Sequence, residues 1–263
     1  MANYTLGRGE LYFDRFLTGT TTKSGERYLG NSTEFNINIA SQMLDHFNSD
    51  QGIRVKDDSV VLELTRTGSF ILDDISADNL SLLLLGTSGS VAQTAVVVTD
   101  AVLAPVGSVQ KDRYYQIGAT TLNPSGIRNA TAITVKKGTT VGTATAATLG
   151  TDYTVDAALG RVYIPTGSSV APATEGLWVT YTPVVNSRVQ VVTSSNATIE
   201  GALRFIAKNP KGTDRDYYMP YAKLSPNGDF SLKGDSWQQL PFNVEILLLD
   251  ASTQAIYVDG RAA

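Results

Sequence analysis

The chain has 263 residues, 42% hydrophobic and 17% charged, which is enough to bury a large core in one big β domain or two ordinary domains. Cysteine is absent and His46 is the only histidine, so disulfide frameworks, zinc ribbons, thiol nucleophiles, multi-His metal sites and most His-dependent catalysis are excluded. A net charge of −4 argues against a general nucleic-acid-binding surface, and thirty threonines favour pleated strands.

The first residues, Met1 to Leu6, lack the basic-then-apolar layout of a signal peptide. The longest apolar runs, residues 82–85 and 246–249, fall far short of a membrane span. These features predict a soluble chain made in the cytosol.

Residues 6–16 read as a strand, followed by a polar Thr/Gly loop over residues 18–25. Residues 33–40 alternate Phe35, Ile37 and Ile39 with Glu34, Asn36 and Asn38, the pattern of a half-buried strand with one wholly polar face. Residues 59–67 alternate again, with Val60, Leu62 and Leu64 opposed to Val61, Glu63 and Thr65. Between them, residues 41–58 read as a long polar loop holding Asp45, Asp50, Asp57 and Asp58. Ser76 opens the one convincing helix, with Asp78 in its first turn, Gly86 as terminator and Leu80, Leu83 and Leu84 as its apolar side.

From residue 107 to 183 the texture changes to short alternating strands between turn signals, including residues 131–137, 152–156, 161–164 and 177–182. This segment carries six basic and four acidic residues, whereas residues 1–105 carry seven and thirteen. It reads as a small β-sandwich inserted into a host domain made of residues 1–106 and 184–263. The C-terminal flank then supplies strands over residues 197–207, 217–224, 228–232 and 242–249, for about eight host strands in all.

Little chemistry emerges. Asp57-Asp58 and Asp73-Asp74 are adjacent pairs, and strand neighbours point to opposite faces rather than converging. Residues 50–58 hold Gly52 and Arg54 where a calcium loop needs acids. Asp45-His46 reads as a surface pair in the loop. Tyr217, Tyr218 and Tyr221, flanked by Lys208, Lys211, Arg215 and Lys223, read as an aromatic strand face diluted by Asp214 and Asp216. No enzyme, metal or cofactor is expected.

Four stretches of the flanks resemble the major tail tube protein of long, non-contractile-tailed bacteriophages. They are residues 7–13; residues 26–31 leading into 34–37; residues 69–74 running into the helix and Gly86; and residues 231–242 before the closing strand. The resemblance covers most of residues 1–100 and 190–263, and its specificity lies in order and combination. Residues 152–165 and 177–182 are similar to the Ig-like modules carried by phage surface proteins.

The resemblance implies a mainly β, tail-tube-type barrel or sandwich with one flanking helix and an inserted Ig-like domain. It implies rings of six copies, stacked into a tube in the virion tail and assembled in the host bacterial cytoplasm. The lumen would hold the tape-measure protein and then pass double-stranded DNA, without sequence-specific binding or membrane insertion. Tail terminator and distal tail proteins would be further partners, and the insert would face outward, with weak host-surface contact at most. Four strands from each of six copies, at about 4.8 Å spacing and roughly 45° tilt, give a backbone radius of about 26 Å.

On alternation, Glu34, Asn36, Asn38 and Glu63 are the expected lumen-facing residues, since an acidic and amide lining lets DNA slide where a basic one would hold it. Leu44, Asp45, His46, Phe47, Asp50, Arg54, Asp57 and Asp58 form the expected inter-ring stacking loop. The alternative reading is a phage decoration or receptor-binding β protein, expected to stay a monomer or trimer. A β-fold hydrolase built on Asp45 and His46 would instead lose turnover in His46→Ala.

Overall fold

The computed structural model describes residues 4–50, 52–193 and 198–261. Its first elements are β1 (Gly9–Arg15), β2 (Arg27–Tyr28), β3 (Ser32–Asn48), β4 (Val55–Leu72), α1 (Ala77–Leu83) and β5 (Gly86–Gln93). Next come β6 (Val98–Ala104), β7 (Arg113–Gln116), β8 (Ala130–Gly138), β9 (Thr145–Ala146), β10 (Thr154–Asp156), β11 (Arg161–Ile164) and β12 (Gly176–Pro183). The chain closes with β13 (Asn186–Thr193), β14 (Ile199–Ala207), β15 (Arg215–Pro226), β16 (Leu240–Ile246) and β17 (Tyr257–Gly260). It is a mainly β protein with one helix among the described residues.

Two compact units are present, one running through Gly89 and again from Val189, the other spanning Ser90–Arg188. The second unit starts well before residue 107 because β6 pairs with β12, aligning Val102 with Trp178. β5 and β13 pair with each other where the chain leaves the first unit and returns.

The first unit is built on one eight-stranded sheet in the order β2-β1-β14-β15-β16-β4-β3, with β17 also paired to β15. The sheet is open rather than a closed barrel, because its end strands β2 and β3 do not meet and β2 has only two residues to offer. One face is apolar: Phe70 stacks on Phe242 with ring centroids 4.8 Å apart, and Leu72, Leu203, Met219, Leu224 and Leu240 are buried around them. Gly68 lets β3 and β4 approach, since a Cβ there would lie 2.7 Å from the Asn36 carbonyl oxygen.

The helix follows its capping chemistry at the start and departs from the sequence reading at the end. The Ser76 hydroxyl accepts from the Asn79 N–H at 3.3 Å, and Asp78 sits in the first turn. The buried Asn79 amide donates to the Leu29 carbonyl at 2.7 Å and the Asp74 carbonyl at 2.9 Å, tying the helix to the β2–β3 connection. Its core residues are Leu82 and Leu83 rather than Leu84, which is exposed. Gly86 is not the terminator. It opens β5, where a Cβ would come within 2.1 Å of the Val192 carbonyl oxygen, and the left-handed residue is Leu85 at φ +52°.

Two further expectations change. Residues 228–232 form no strand: Gly228 turns at φ +85°, and Asn227 donates to the Pro241 carbonyl to start the β15–β16 connection. The strand expected over residues 197–207 is β14, with Ala197 outside the described residues.

The second unit has a four-stranded sheet, β6-β12-β8-β9, and a three-stranded sheet, β10-β11-β7. Ile117, Val162, Ile164, Leu177, Val179 and Tyr181 fill its own core. This is the physical meaning of an insert: it buries its apolar residues without drawing on the first unit's core.

Candidate functional site

Cross-strand register gives the first unit's sheet a second, polar face. One row across five strands reads Asn38, Thr67, Glu245, Lys223 and Glu200, and the row beside it reads Asn36, Ser69, Asn243 and Ser225. The intervening row reads Ile37, Gly68, Val244, Leu224 and Ile199, so apolar and polar residues alternate strictly across the sheet. No register shift falls between Glu34 and Gln42, and Gln42 opposes Glu63. Glu34, Asn36, Asn38 and Glu63 therefore share this polar face, and all four are exposed.

The face is acidic overall. Glu34, Glu63, Glu200 and Glu245 stand against Lys223, whose ammonium lies 3.3 Å from the Glu200 carboxylate. That carboxylate raises the Lys223 pKa above its ordinary value. The Asn36 amide donates to Glu34 at 2.5 Å, so the polar residues brace one another along the strand.

Beyond the sheet body, β3 and β4 continue together as a long hairpin arm. The expected loop over residues 41–58 is mostly paired strand: Ser41 opposes Leu64, Leu44 opposes Val60 and Asn48 opposes Val55. The β-branched and aromatic residues within the polar stretch supply the strand propensity, and register shifts at Gln42/Met43 and His46/Phe47 mark bulges that increase local twist.

Cross-strand charge pairs fasten the arm. Lys56 lies 2.6 Å from Asp45, the Ser59 hydroxyl donates to Asp45 at 2.8 Å, and Lys56 with Ser59 holds the Asp45 carboxyl below its ordinary pKa. Arg54 lies over the Phe47 ring at 4.9 Å. Asp45 and His46 do not form a dyad with each other, since strand neighbours face opposite sides; His46 Nδ1 meets Asp57 at 2.5 Å instead. Asp58 accepts from the Ser59 N–H, while Asp50 lies at the tip, where its N–H donates to Asn48.

The arm also exposes apolar side chains beyond those expected to make the stacking contact. Ile39, Met43, Ile53, Val55, Val61 and Leu62 are all exposed, alongside Leu44 and Phe47. The signal was the recurrence of Met43, Leu44 and Phe47 after residue 40 and of Ile53 and Val55 before residue 59. It was masked by the four aspartates.

The basic aromatic patch is neutralised in part, through Lys208 and Lys223. Lys208 pairs with Glu10, Arg204 lies 2.7 Å from Glu26, and the Arg204 guanidinium sits 4.2 Å over the Tyr218 ring. Lys208 and the Tyr12 hydroxyl hold the Glu10 carboxyl below its ordinary pKa.

At the base of the arm a groove of about 820 Å³ opens over an apolar floor of Phe35, Ile37, Phe205 and Tyr217. Phe205 lies 5.7 Å from Phe35 and 6.2 Å from Tyr217 between ring centroids. Arg8, Arg215 and Glu34 also line it, neither arginine in an ion pair among the described residues.

No curated protein matches the chain. A family model described as protein of unknown function UCP028589 matches residues 4–256. The match spans nearly the whole sequence and both units, and the chain belongs to that family.

Proposed function

We propose that the chain is a structural subunit that self-assembles into a tube, in the manner of the phage tail tube proteins that its flanks resemble. The observation that carries this reading is the hairpin arm, an ordered β3–β4 extension with apolar side chains exposed along it. An exposed apolar surface of this extent marks an interaction site, and a long unpaired edge such as β3 is a template for another chain.

The two-faced sheet supports the same function. Its apolar face is buried within the unit, and its polar face presents amides and a surplus of carboxylates. Lined up around a ring, such faces would form a hydrated, acidic lumen, in which a duplex carrying a charge every ~1.7 Å finds little counter-charge to hold it, Lys223 being paired with Glu200. Glu34, Asn36, Asn38 and Glu63 are the lumen residues in this reading, and the arm makes the ring-to-ring contact.

Electron microscopy of the purified full chain over a range of concentrations and salt tests the proposal. Hollow tubes with a regular axial repeat are expected. Compact monomers or trimers at every condition would overturn it in favour of a decoration or receptor-binding protein.

A further inference from the structure

The arm tip and the groove at the arm base are complementary in both apolar surface and charge. The tip presents Ile53, 77% exposed, together with exposed Val55 and Phe47. Among the described residues Asp50 and Asp58 are in no ion pair, whereas Asp45 and Asp57 are taken up by Lys56 and His46, and Arg54 lies over the Phe47 ring. The groove offers the converse in balance: an aromatic and aliphatic floor lined by Arg8 and Arg215, neither ion-paired among the described residues, against the single carboxylate of Glu34.

The two surfaces of one copy cannot meet. Eleven residues of paired β3 separate Ile37 in the groove from Asn48 at the tip, and at about 3.3 Å per residue they span roughly 36 Å of stiff hairpin. Complementary patches held apart on a rigid element can be joined only between copies, and a head-to-tail contact of that kind propagates into rings or filaments.

We infer that the groove is the receptor for the arm tip of a second copy of this chain. Ile53 and Val55 then cover Phe35, Phe205 and Tyr217, while Asp50 and Asp58 face Arg8 and Arg215. This inference rests on the tube reading and adds the surface that receives the arm. It sets the translation between linked copies at about 36 Å, the distance from tip to groove.

The absence of native cysteine allows a direct test. The double variant Ser49→Cys, Thr213→Cys places one thiol at the tip and one at the groove, and a disulfide forms only where the Cα atoms come within about 7 Å. Mild oxidation of the assembled full-length protein is expected to give a covalent ladder of oligomers on a non-reducing gel, with each single variant stopping at dimers. In parallel, Arg8→Glu with Arg215→Glu is expected to raise the concentration needed for assembly at least tenfold, and adding Asp50→Lys with Asp58→Lys to recover most of it.

Tubes that form normally, without the ladder and without sensitivity to the charge reversal, would overturn the groove assignment and leave the tube reading standing. A wild-type chain that never assembles would overturn both.

Discussion

Asp152 anchors the second unit, and its replacement by Asn makes a quantitative test of that unit's packing. One carboxylate oxygen accepts from the Ser169 N–H at 2.9 Å and the Ser169 hydroxyl at 2.6 Å; the other accepts from the Thr148 N–H at 2.9 Å and the Lys137 ammonium at 3.3 Å. The residue is 4% exposed, so water replaces none of these partners. Asp152→Asn substitutes a donor for one acceptor, and whichever way the amide turns, a backbone N–H loses its partner. That loss is worth about 1–3 kcal/mol, and weakening the charge-assisted bond to Lys137 adds about 1–2 kcal/mol. The expected total is about 3 kcal/mol, or roughly 15 °C in melting temperature for a unit of this size.

Tryptophan fluorescence of the full chain reads the second unit selectively. Trp178, in that unit, is 7% exposed and reddens on unfolding, whereas Trp237, in the other, is already 93% exposed. The four donors hold the Asp152 carboxyl well below the usual carboxylate range, the Ser169 hydroxyl foremost, against burial which pushes it up. A depressed folded pKa means that the stabilisation is full above the unfolded pKa near about 4 and is lost as pH falls toward the folded value. The gap between wild type and variant should therefore be widest near neutrality and close in strong acid. A shift below about 3 °C at neutral pH, or a gap indifferent to acid, would refute the reasoning.

Other perturbations probe the first unit. Phe242→Ala removes half of the Phe70–Phe242 stack from a sealed core and should cost about 3–5 kcal/mol in urea denaturation. Gly68→Val drives a side chain into the Asn36 carbonyl, costing about 1–3 kcal/mol, with faster amide exchange along residues 36–38; unchanged exchange would count against the close approach. Gly30→Ala places a Cβ 2.3 Å from the Asp74 carboxylate at a φ of +85°, and should lower the melting temperature measurably. Acrylamide should quench Trp237 readily and Trp178 poorly, so Trp237→Phe should remove most of the quenchable emission.

Sequence by itself determined what depends on local pattern. Thirty threonines and the absence of cysteine set a β class without disulfides, the Ser76 cap started the helix, and the strict alternation from Glu34 to Asn38 separated the polar face from the core face. It also showed that the middle of the chain has its own turn-and-strand texture.

Tertiary structure decided the rest. Whether residues 41–58 loop or pair depends on cross-strand partners such as Lys56 with Asp45, which local propensity does not contain. The reach of the second unit to Ser90 depends on β6 finding β12, some 75 residues later in the chain. The groove likewise exists only because β3 crosses near β14 and β15, bringing Phe35 to Phe205. Alternation tells a strand which of its residues share a face. Only long-range pairing tells it which strands lie beside it, and so what that face becomes.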